Sequence, residues 1–319
     1  MSFAYRRAAD LAEAVAAGGP GAAFLAGGTD LLPLWKLGVA TPDRVIDISR
    51  LPLDAVTSHA GGMTLGALAR MSDVADHPQV HPLVAQALLA SASAQVRNAA
   101  TIGGNLLQRT RCAYFRSPDL PCAKRQPGSG CGARLGENRP HAIFGGSEAC
   151  VATHPSDLAV ALVALDAQVR MLGPGGERAV AVEALYRSPG DTPERDTVLS
   201  PGEIILAVEV PAWAGPSGYL KVRDRAAFEF AVVSVAVALR IADGRVVEAR
   251  IAAGGVGTRP WRLRTCEAAL AGAPVTEAAF AQAAARTGEG ATPLSQNGFK
   301  IALLERTVLR ALKNVGGGA

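Results

Sequence analysis

The sequence predicts an α+β protein of two or three packed lobes. Three features carry the prediction: helices and short strands alternate near the N-terminus, residues 108–150 lack apolar periodicity, and a strand–turn–strand pattern precedes a final helix. A chain of 319 residues is long enough to bury more than one core.

The elements of the first lobe are read from local spacing. Residues 8–17 have helical spacing and stop at the breaker cluster Gly18-Gly19-Pro20. A strand at 22–26, a short helix at 31–37 and a strand at 44–49 follow. We expect these elements to form one lobe over residues 1–57.

A second lobe is predicted over residues 58–214. Ser156-Asp157 precedes an apolar run and is typical of a capped helix start. The other predicted elements are strands at 63–66, 168–172 and 203–210 and helices at 72–75 and 81–93. Residues 108–150 are rich in Arg, Pro, Gly and Cys, and a coil of that length needs something other than a core to order it.

The third lobe, residues 215–319, is predicted to be α+β. Apolar residues alternate over 233–241, Asp243-Gly244 is a turn signal, and 247–253 returns as the partner strand. The last helix carries Ile301, Leu304, Val308 and Leu312 on one face.

Composition and charge argue against two classes of partner. The net charge is +4, the basic residues are dispersed, and only 5% of residues are aromatic, so nucleic acid is not favoured. There is no apolar run of the ~20 residues that a membrane-spanning helix needs, so no membrane insertion is expected. The N-terminus has no export signal, which predicts cytoplasmic assembly.

Four of the five cysteines, Cys112, Cys122, Cys131 and Cys150, fall inside the irregular stretch. Ligation could therefore replace packing as the ordering force. Three chemistries remain open: disulfides, which a reducing compartment disfavours; structural zinc, which usually has tighter spacing; and an iron–sulfur cluster, which tolerates loose spacing. Cys266 lies on a probable helix of another lobe and is expected to be a small buried hydrophobe.

Two Gly-Gly segments are candidate phosphate loops. Residues 26–32 follow a strand and lead into a helix, and residues 101–106 contain Thr101, Gly103 and Gly104. Backbone amides of such loops can converge on an anion, and two of them could hold the two ends of a diphosphate. Two unrelated turns remain the alternative, because neither segment is a dinucleotide fingerprint or a P-loop.

Together these segments resemble the FAD-binding medium subunit of the xanthine dehydrogenase family of molybdenum hydroxylases. Ala26-Gly-Gly-Thr-Asp-Leu-Leu and Thr101-Ile-Gly-Gly-Asn-Leu are similar to the two flavin-diphosphate loops of the family. His154-Pro-Ser-Asp157-Leu, Tyr219-Leu-Lys221-Val and Ala253-Gly-Gly-Val-Gly-Thr-Arg-Pro-Trp are similar to further family segments. The cysteine-containing run is similar to that of periplasmic aldehyde oxidoreductase flavoproteins, in which the insertion binds [4Fe–4S].

The resemblance implies a two-lobed FAD-binding domain of the PCMH and CO-dehydrogenase-flavoprotein type, an Fe–S insertion at 108–150 and a C-terminal α+β domain. It implies that Asp157 binds the ribityl or ribose hydroxyls and that Lys221 stabilises negative charge on the reduced flavin ring. Without it, Asp157 could simply help to cap the helix, and Lys221 could be an ordinary surface lysine. The implied cofactor contacts are Ala26, Gly27, Gly28, Thr29, Asp30, Leu31, Leu32, Thr101, Gly103, Gly104, Asn105, Leu106, Asp157 and Lys221, and the implied cluster ligands are Cys112, Cys122, Cys131 and Cys150.

The resemblance further implies an electron-transfer role with substrate chemistry on a partner. Partners would be a large molybdenum-cofactor subunit and a small [2Fe–2S] subunit in a heterotrimer, with electrons passing from [2Fe–2S] through FAD to an external acceptor. A partner with an export signal would carry the folded complex to the periplasm. The alternatives are a flavoprotein of a hydroxybenzoyl-CoA reductase or xanthine dehydrogenase type, a stand-alone flavin reductase, and a non-redox zinc scaffold.

Overall fold

The computed structural model describes residues 3–317, in which the strands form three β-sheets. The first sheet belongs to the N-terminal lobe. Its elements are β1 (Ala4–Arg7), α1 (Leu11–Ala17), β2 (Ala22–Leu25), α2 (Leu31–Lys36) and β3 (Arg44–Asp47). The strands are parallel in the order β1-β3-β2, so β2, α2 and β3 form a βαβ unit with the glycine loop between β2 and α2. The first helix begins later than predicted because Asp10 caps it by accepting from the amide of Glu13.

The second lobe contains a five-stranded antiparallel sheet. Its elements, with the intervening helices, are β4 (Val56–His59), β5 (Gly62–Gly66), α3 (Met71–Ala75), α4 (Pro82–Ala90), α5 (Ala94–Arg97), α6 (Ile102–Leu106), α7 (Ala113–Arg116), α8 (Asp157–Ala164), β6 (Gln168–Gly173), β7 (Gly176–Ala181), α9 (Val182–Leu185) and β8 (Ile204–Pro211). The strand order is β4-β5-β8-β6-β7. The predicted helix over 81–93 is too long, because Ala92 has a φ of 52° and Ser93 caps the separate helix α5.

Residues 108–150 are largely irregular, as predicted, and α7 is the helix within them. Polar side chains order this coil by bonding its backbone. The guanidinium of Arg125 donates to the carbonyls of Tyr114 and Phe115, at 2.7 and 2.8 Å, and to that of Pro118 at 3.0 Å. The hydroxyl of Tyr114 accepts from the amide of Glu137 at 2.8 Å. Side chain–backbone bonds therefore replace much of the missing secondary structure.

The third sheet has the order β12-β11-β10-β9, and its strands are antiparallel. Its elements and those that follow are β9 (Ser217–Val222), β10 (Val233–Ala242), β11 (Arg245–Gly254), β12 (Trp261–Arg262), α10 (Arg264–Leu270), α11 (Glu277–Ala284) and α12 (Phe299–Gly316). Asp243 and Gly244 have φ values of 51° and 70°, which suits a type I′ hairpin turn, so the predicted hairpin is confirmed.

Helix α8 joins the second and third lobes. All of its residues are buried, including Asp157 at its first position, and it packs against α4 and the strands β10 and β11. Ala236 and Ala238 of β10 belong to the core around α8, whereas Val235 and Val237 belong to the core under α12. A polar residue at the start of α8 is therefore enclosed by protein. No helix within residues 3–317 is both long and apolar enough to cross a bilayer.

The C-terminal helix holds the end of the irregular coil through a buried lysine. Lys300 is fully buried, and its ammonium donates to the carbonyls of Pro140, His141 and Gly255 at 2.9, 3.0 and 2.7 Å. Burial lowers the pKa of Lys300 to about 7. Its three hydrogen bonds to backbone carbonyls satisfy the three donors of the ammonium.

Replacing Lys300 with methionine is expected to destabilise the protein by about 3 kcal/mol, because buried carbonyls lose their donor. Thermal unfolding should show this as a fall in Tm of roughly 4–5 °C. Lys313→Met is the matched control: this lysine lies on the same helix, is 42% exposed and pairs with Glu277, so its loss should change Tm little. Equal Tm values for the two variants would contradict the anchoring role.

Candidate cofactor site

The two predicted glycine loops meet at one cavity. Its volume is about 490 Å³, within the range of small-molecule sites. From the predicted set, the cavity wall contains Ala26, Gly27, Gly28, Thr29, Asp30, Leu31, Thr101, Gly103 and Gly104. The two loops therefore lie side by side in the fold, and their binding of a diphosphate remains a prediction.

Gly27 lies against the backbone of Ala99 and Ala100, the two residues directly before the second loop. A Cβ built on Gly27 would lie 1.9 Å from the carbonyl oxygen of Ala99 and 3.2 Å from the Cα of Ala100. Only a residue without a side chain allows this approach of two backbones. Gly28 has a φ of 71°, which turns the chain from β2 toward α2. Both glycines are thus required by the shape of the loop.

The part of the first loop that lines the cavity contains amides without a protein acceptor. The amides of Gly28, Thr29 and Asp30 have no acceptor among residues 3–317. In the second loop, by contrast, the backbone amide of Gly103 donates to the carbonyl of Ala67 at 2.8 Å, and that of Gly104 donates to the Thr101 hydroxyl at 3.2 Å. Unpaired amides beside a helix start favour an anionic ligand.

Some of the predicted contacts lie away from the cavity wall. The side chain of Asn105 is buried, and its Oδ1 atom accepts from the hydroxyl of Ser156 at 2.6 Å. Leu106 is part of the core of the second lobe. Leu32 is partly exposed on α2. Their assignment as cofactor contacts remains a prediction.

Asp30 connects the first glycine loop to the irregular coil. Its carboxylate accepts from the backbone amide of Arg109 at 2.7 Å and from the guanidinium groups of Arg111 and Arg116, each at 2.9 Å. The carboxylate is only 15% exposed, so these charge-assisted bonds are weakly screened. The cavity wall and the segment around Cys112 are therefore held together.

Asp157 and Lys221 form a buried ion pair. The Lys221 ammonium lies 2.8 Å from one oxygen of Asp157, and the hydroxyl of Tyr219 donates to the other at 2.6 Å. Each of the two charged side chains is 4% exposed, so Lys221 is no surface lysine. Burial raises the pKa of the Asp157 carboxyl, and the ammonium opposes this shift. Ser156 caps α8, since its hydroxyl accepts from the amide of Ala159.

The pair lies outside the 490 Å³ cavity. Asp157 lines a separate crevice of about 30 Å³, together with Arg111 and Phe230. Asp157 and Lys221 thus contact each other, and their predicted contacts with the ribityl chain and ring of a flavin remain a prediction.

The four clustered cysteines approach one another and form no disulfide among residues 3–317. Cys122 and Cys131 face each other as an antiparallel pair. Cys122 and Cys150 both contribute to raising the pKa of Cys112, and Cys131 and Cys122 both contribute to raising that of Cys150, so the four side chains lie near one another. Burial raises the pKa of Cys112 to about 12 and raises that of Cys150, for which nearby Lys124 opposes the shift.

No three His, Cys, Asp or Glu side chains in the described chain, 3–317, lie close enough to share one metal ion. Cys266 is fully buried on α10, remote from this group in the third lobe, and the prediction of a small buried hydrophobe is confirmed.

Comparison with known proteins identifies the family. Residues 1–213 match the FAD binding domain in molybdopterin dehydrogenase, and residues 218–315 match the CO dehydrogenase flavoprotein C-terminal domain. The chain belongs to the FAD-binding medium subunits of the molybdenum hydroxylases. It is an oxidoreductase flavoprotein, and the predicted fold class is confirmed.

Relatives of this medium-subunit family cover nearly the whole chain. The aldehyde oxidoreductase FAD-binding subunit PaoB of Escherichia coli (strain K12) is 46% identical, over 98% of this chain and 97% of its own. The glyceraldehyde dehydrogenase medium chain of Sulfolobus acidocaldarius is 28% identical, over 92% of this chain and 90% of its own. A carbon monoxide dehydrogenase structure from Hydrogenophaga pseudoflava superposes with a TM-score of 0.78 at 27% identity, over 100% and 98%.

Sequence reasoning missed two contributors to the site of this medium subunit. Tyr219, two residues before Lys221, could have been found from strand alternation, which puts both on one face of β9. His141 lies 3.2 Å from the sulfur of Cys112, measured from Nε2. Its only sequence signal is its position between two of the cysteines, which is too weak to assign a role.

Proposed function

We propose that this chain is the FAD- and [4Fe–4S]-binding, electron-transferring subunit of a heterotrimeric molybdenum-containing aldehyde oxidoreductase. One observation carries the proposal: the glycine-loop cavity and the four-cysteine segment are joined directly through Asp30. The 46% identity to a subunit named as that of an aldehyde oxidoreductase supports the choice of enzyme class.

The residues of the cavity fit a dinucleotide diphosphate. The unpaired amides of Gly28, Thr29 and Asp30 would donate to its oxygens, and Gly104, whose Cβ position is limited only by Thr101, leaves backbone open on the opposite wall. FAD, when bound, supplies redox chemistry in steps of one or two electrons. The protein binds and orients the group, and no residue of this chain needs to attack substrate.

Asp157 and Lys221 would act at the flavin end. Tyr219 and Lys221 both donate to the Asp157 carboxylate, which fixes its orientation at the crevice wall. A carboxylate so held can accept from a ribityl or ribose hydroxyl. Lys221 would place a positive charge near the ring, where it favours the reduced, more negative flavin.

The four-cysteine segment fits a cluster better than a single ion. A zinc ion bonds sulfur at about 2.3 Å, so its thiolates would lie roughly 3.8 Å apart. A cuboid cluster instead binds each thiolate to a separate corner iron and needs wider spacing. The thiols of Cys112, Cys122, Cys131 and Cys150 lie near one another, and no three His, Cys, Asp or Glu side chains within residues 3–317 form a single-ion group, which favours the cluster over zinc.

Packing supports a fixed distance between the two proposed groups. Leu34 of α2, the helix that begins directly after the first glycine loop, packs with Phe115 and Cys122 in one apolar cluster. Asp30, at the N-terminus of the same helix, bonds to Arg109, Arg111 and Arg116 on the coil. Electron transfer requires a fixed distance between the flavin and the cluster. Contacts of both sites with the same helix, α2, would fix that distance.

The partners would be a large molybdenum-cofactor subunit, where substrate is hydroxylated, and a small [2Fe–2S] subunit that delivers electrons to this chain. An external acceptor would take them up. Names of the relatives such as "medium chain" support an assembly of this kind. Assembly would be cytoplasmic, with co-export on a signal-bearing partner as the route to a periplasmic enzyme.

An absorption spectrum with metal analysis of the full chain, purified without oxygen, tests the proposal. We expect flavin absorption with a broad brown shoulder and about four iron and four sulfide per chain. Cys122→Ser should lose iron, whereas Cys266→Ser, the matched control, should keep it. Zinc in place of iron would overturn the cluster and leave the FAD assignment, and a colourless protein would overturn both.

A further inference from the structure

His141 is a buried imidazole aimed at a thiol of the four-cysteine segment. It is 3% exposed, and its Nε2 atom lies 3.2 Å from the sulfur of Cys112. Its other nitrogen, Nδ1, is buried without a hydrogen-bond partner among residues 3–317. A buried imidazole whose one hydrogen-bond partner is a thiol is expected to serve that partner.

The third lobe holds this imidazole in place through its backbone. The carbonyl of His141 accepts from the ammonium of Lys300 at 3.0 Å and from the side-chain amide of Asn297 at 3.1 Å. Its own amide donates to the carbonyl of Asn138 at 3.0 Å. Because both main-chain groups are bound, the position of the ring relative to Cys112 is set by α12 and the turn before it.

The chemistry of a ligated cysteine decides which atom carries the proton. A thiolate bound to iron has no proton to give, so any hydrogen bond between the two side chains must come from the imidazole. Nε2 faces the sulfur, and Nδ1 has no acceptor within the described residues. With Cys112 bound to iron, the neutral imidazole would therefore carry its proton on Nε2.

We propose that His141 is a positioning residue for the cluster, whose Nε2–H donates to the Cys112 thiolate and raises the reduction potential of the cluster. This rests on the proposed [4Fe–4S] site. A hydrogen bond to a ligand sulfur draws off negative charge, and the reduced cluster, which carries one more negative charge, gains more from it than the oxidised cluster. The third lobe would thus set the potential of a group bound in the second.

A redox titration followed by electron paramagnetic resonance tests this in the holoprotein. His141→Met keeps bulk and removes the donor, so its midpoint potential should shift to more negative values with iron content unchanged. His141→Gln keeps an N–H at a similar reach and should return the potential toward that of the parent. An unshifted potential in an iron-replete His141→Met protein would overturn the proposal, whereas a parent without iron would overturn the cluster itself.

A measurement on the unaltered protein covers variants that fail to assemble. With ¹⁵N-labelled histidine, pulsed paramagnetic resonance of the reduced cluster should detect a weak ¹⁵N coupling that crosses the hydrogen bond. Absence of any histidine coupling in the parent would overturn the proposal. Retention of the coupling in His141→Gln would do the same, because His154 or another histidine would then be its source.

Discussion

Replacing Gly27 with alanine is expected to lower FAD affinity by at least ~100-fold. The added Cβ would lie 1.9 Å from the Ala99 carbonyl oxygen and 3.2 Å from the Cα of Ala100. Because both of these are backbone atoms, the chain at Gly27 or at Ala99 must move. Loss of two charge-assisted hydrogen bonds of about 1.5 kcal/mol each would cost about 3 kcal/mol, and 1.4 kcal/mol is a factor of ten. Flavin content after purification and titration of the apoprotein with FAD measure the effect.

Gly175→Ala is the matched control for this prediction. Gly175 lies in the turn between β6 and β7, where a Cβ would meet no atom within 4 Å. Its replacement should leave flavin content and Tm close to those of the parent. A Gly27→Ala protein that retains FAD as tightly as this control would show that the contact between the two loops does not shape the cofactor site.

Replacing Asp157 with alanine is expected to destabilise the protein by about 3–5 kcal/mol, because it leaves the Lys221 ammonium buried without its counter-charge. Lys221 would keep only the carbonyl of Ala90, at 3.0 Å, as an acceptor. The hydroxyl of Tyr219 would lose its acceptor as well. Chemical or thermal unfolding of parent and variant measures the loss.

The double variant Asp157→Leu with Lys221→Met separates the structural role from the flavin role. Two apolar side chains of similar size remove both charges, so most of the stability should return. If the stable double variant binds little FAD, the pair acts on the flavin as proposed. If it binds FAD normally, the pair stabilises the junction of α8 and β9 and has no flavin role. A single Asp157→Ala protein as stable as the parent would contradict the buried ion pair itself.

The local elements could be predicted because their causes are local. Gly28 and the pair Asp243-Gly244 adopt positive φ angles, which form turns without help from distant residues. Ser156 caps the helix that directly follows it. The helix predicted over 81–93 is too long for a reason that is also local. Ala92 adopts a left-handed backbone conformation, which the spacing of apolar side chains does not reveal.

The sequence by itself determined the family, the two loops and the cysteine-rich coil, since each depends on residue types within a short segment. Only the tertiary structure decided which of these segments meet. The bonds from Asp157 to Lys221, from Asp30 to Arg116 and between His141 and Cys112 join residues 64, 86 and 29 positions apart. Such contacts depend on how helices and sheets pack, because a buried charge or donor takes whichever partner the packing brings within reach.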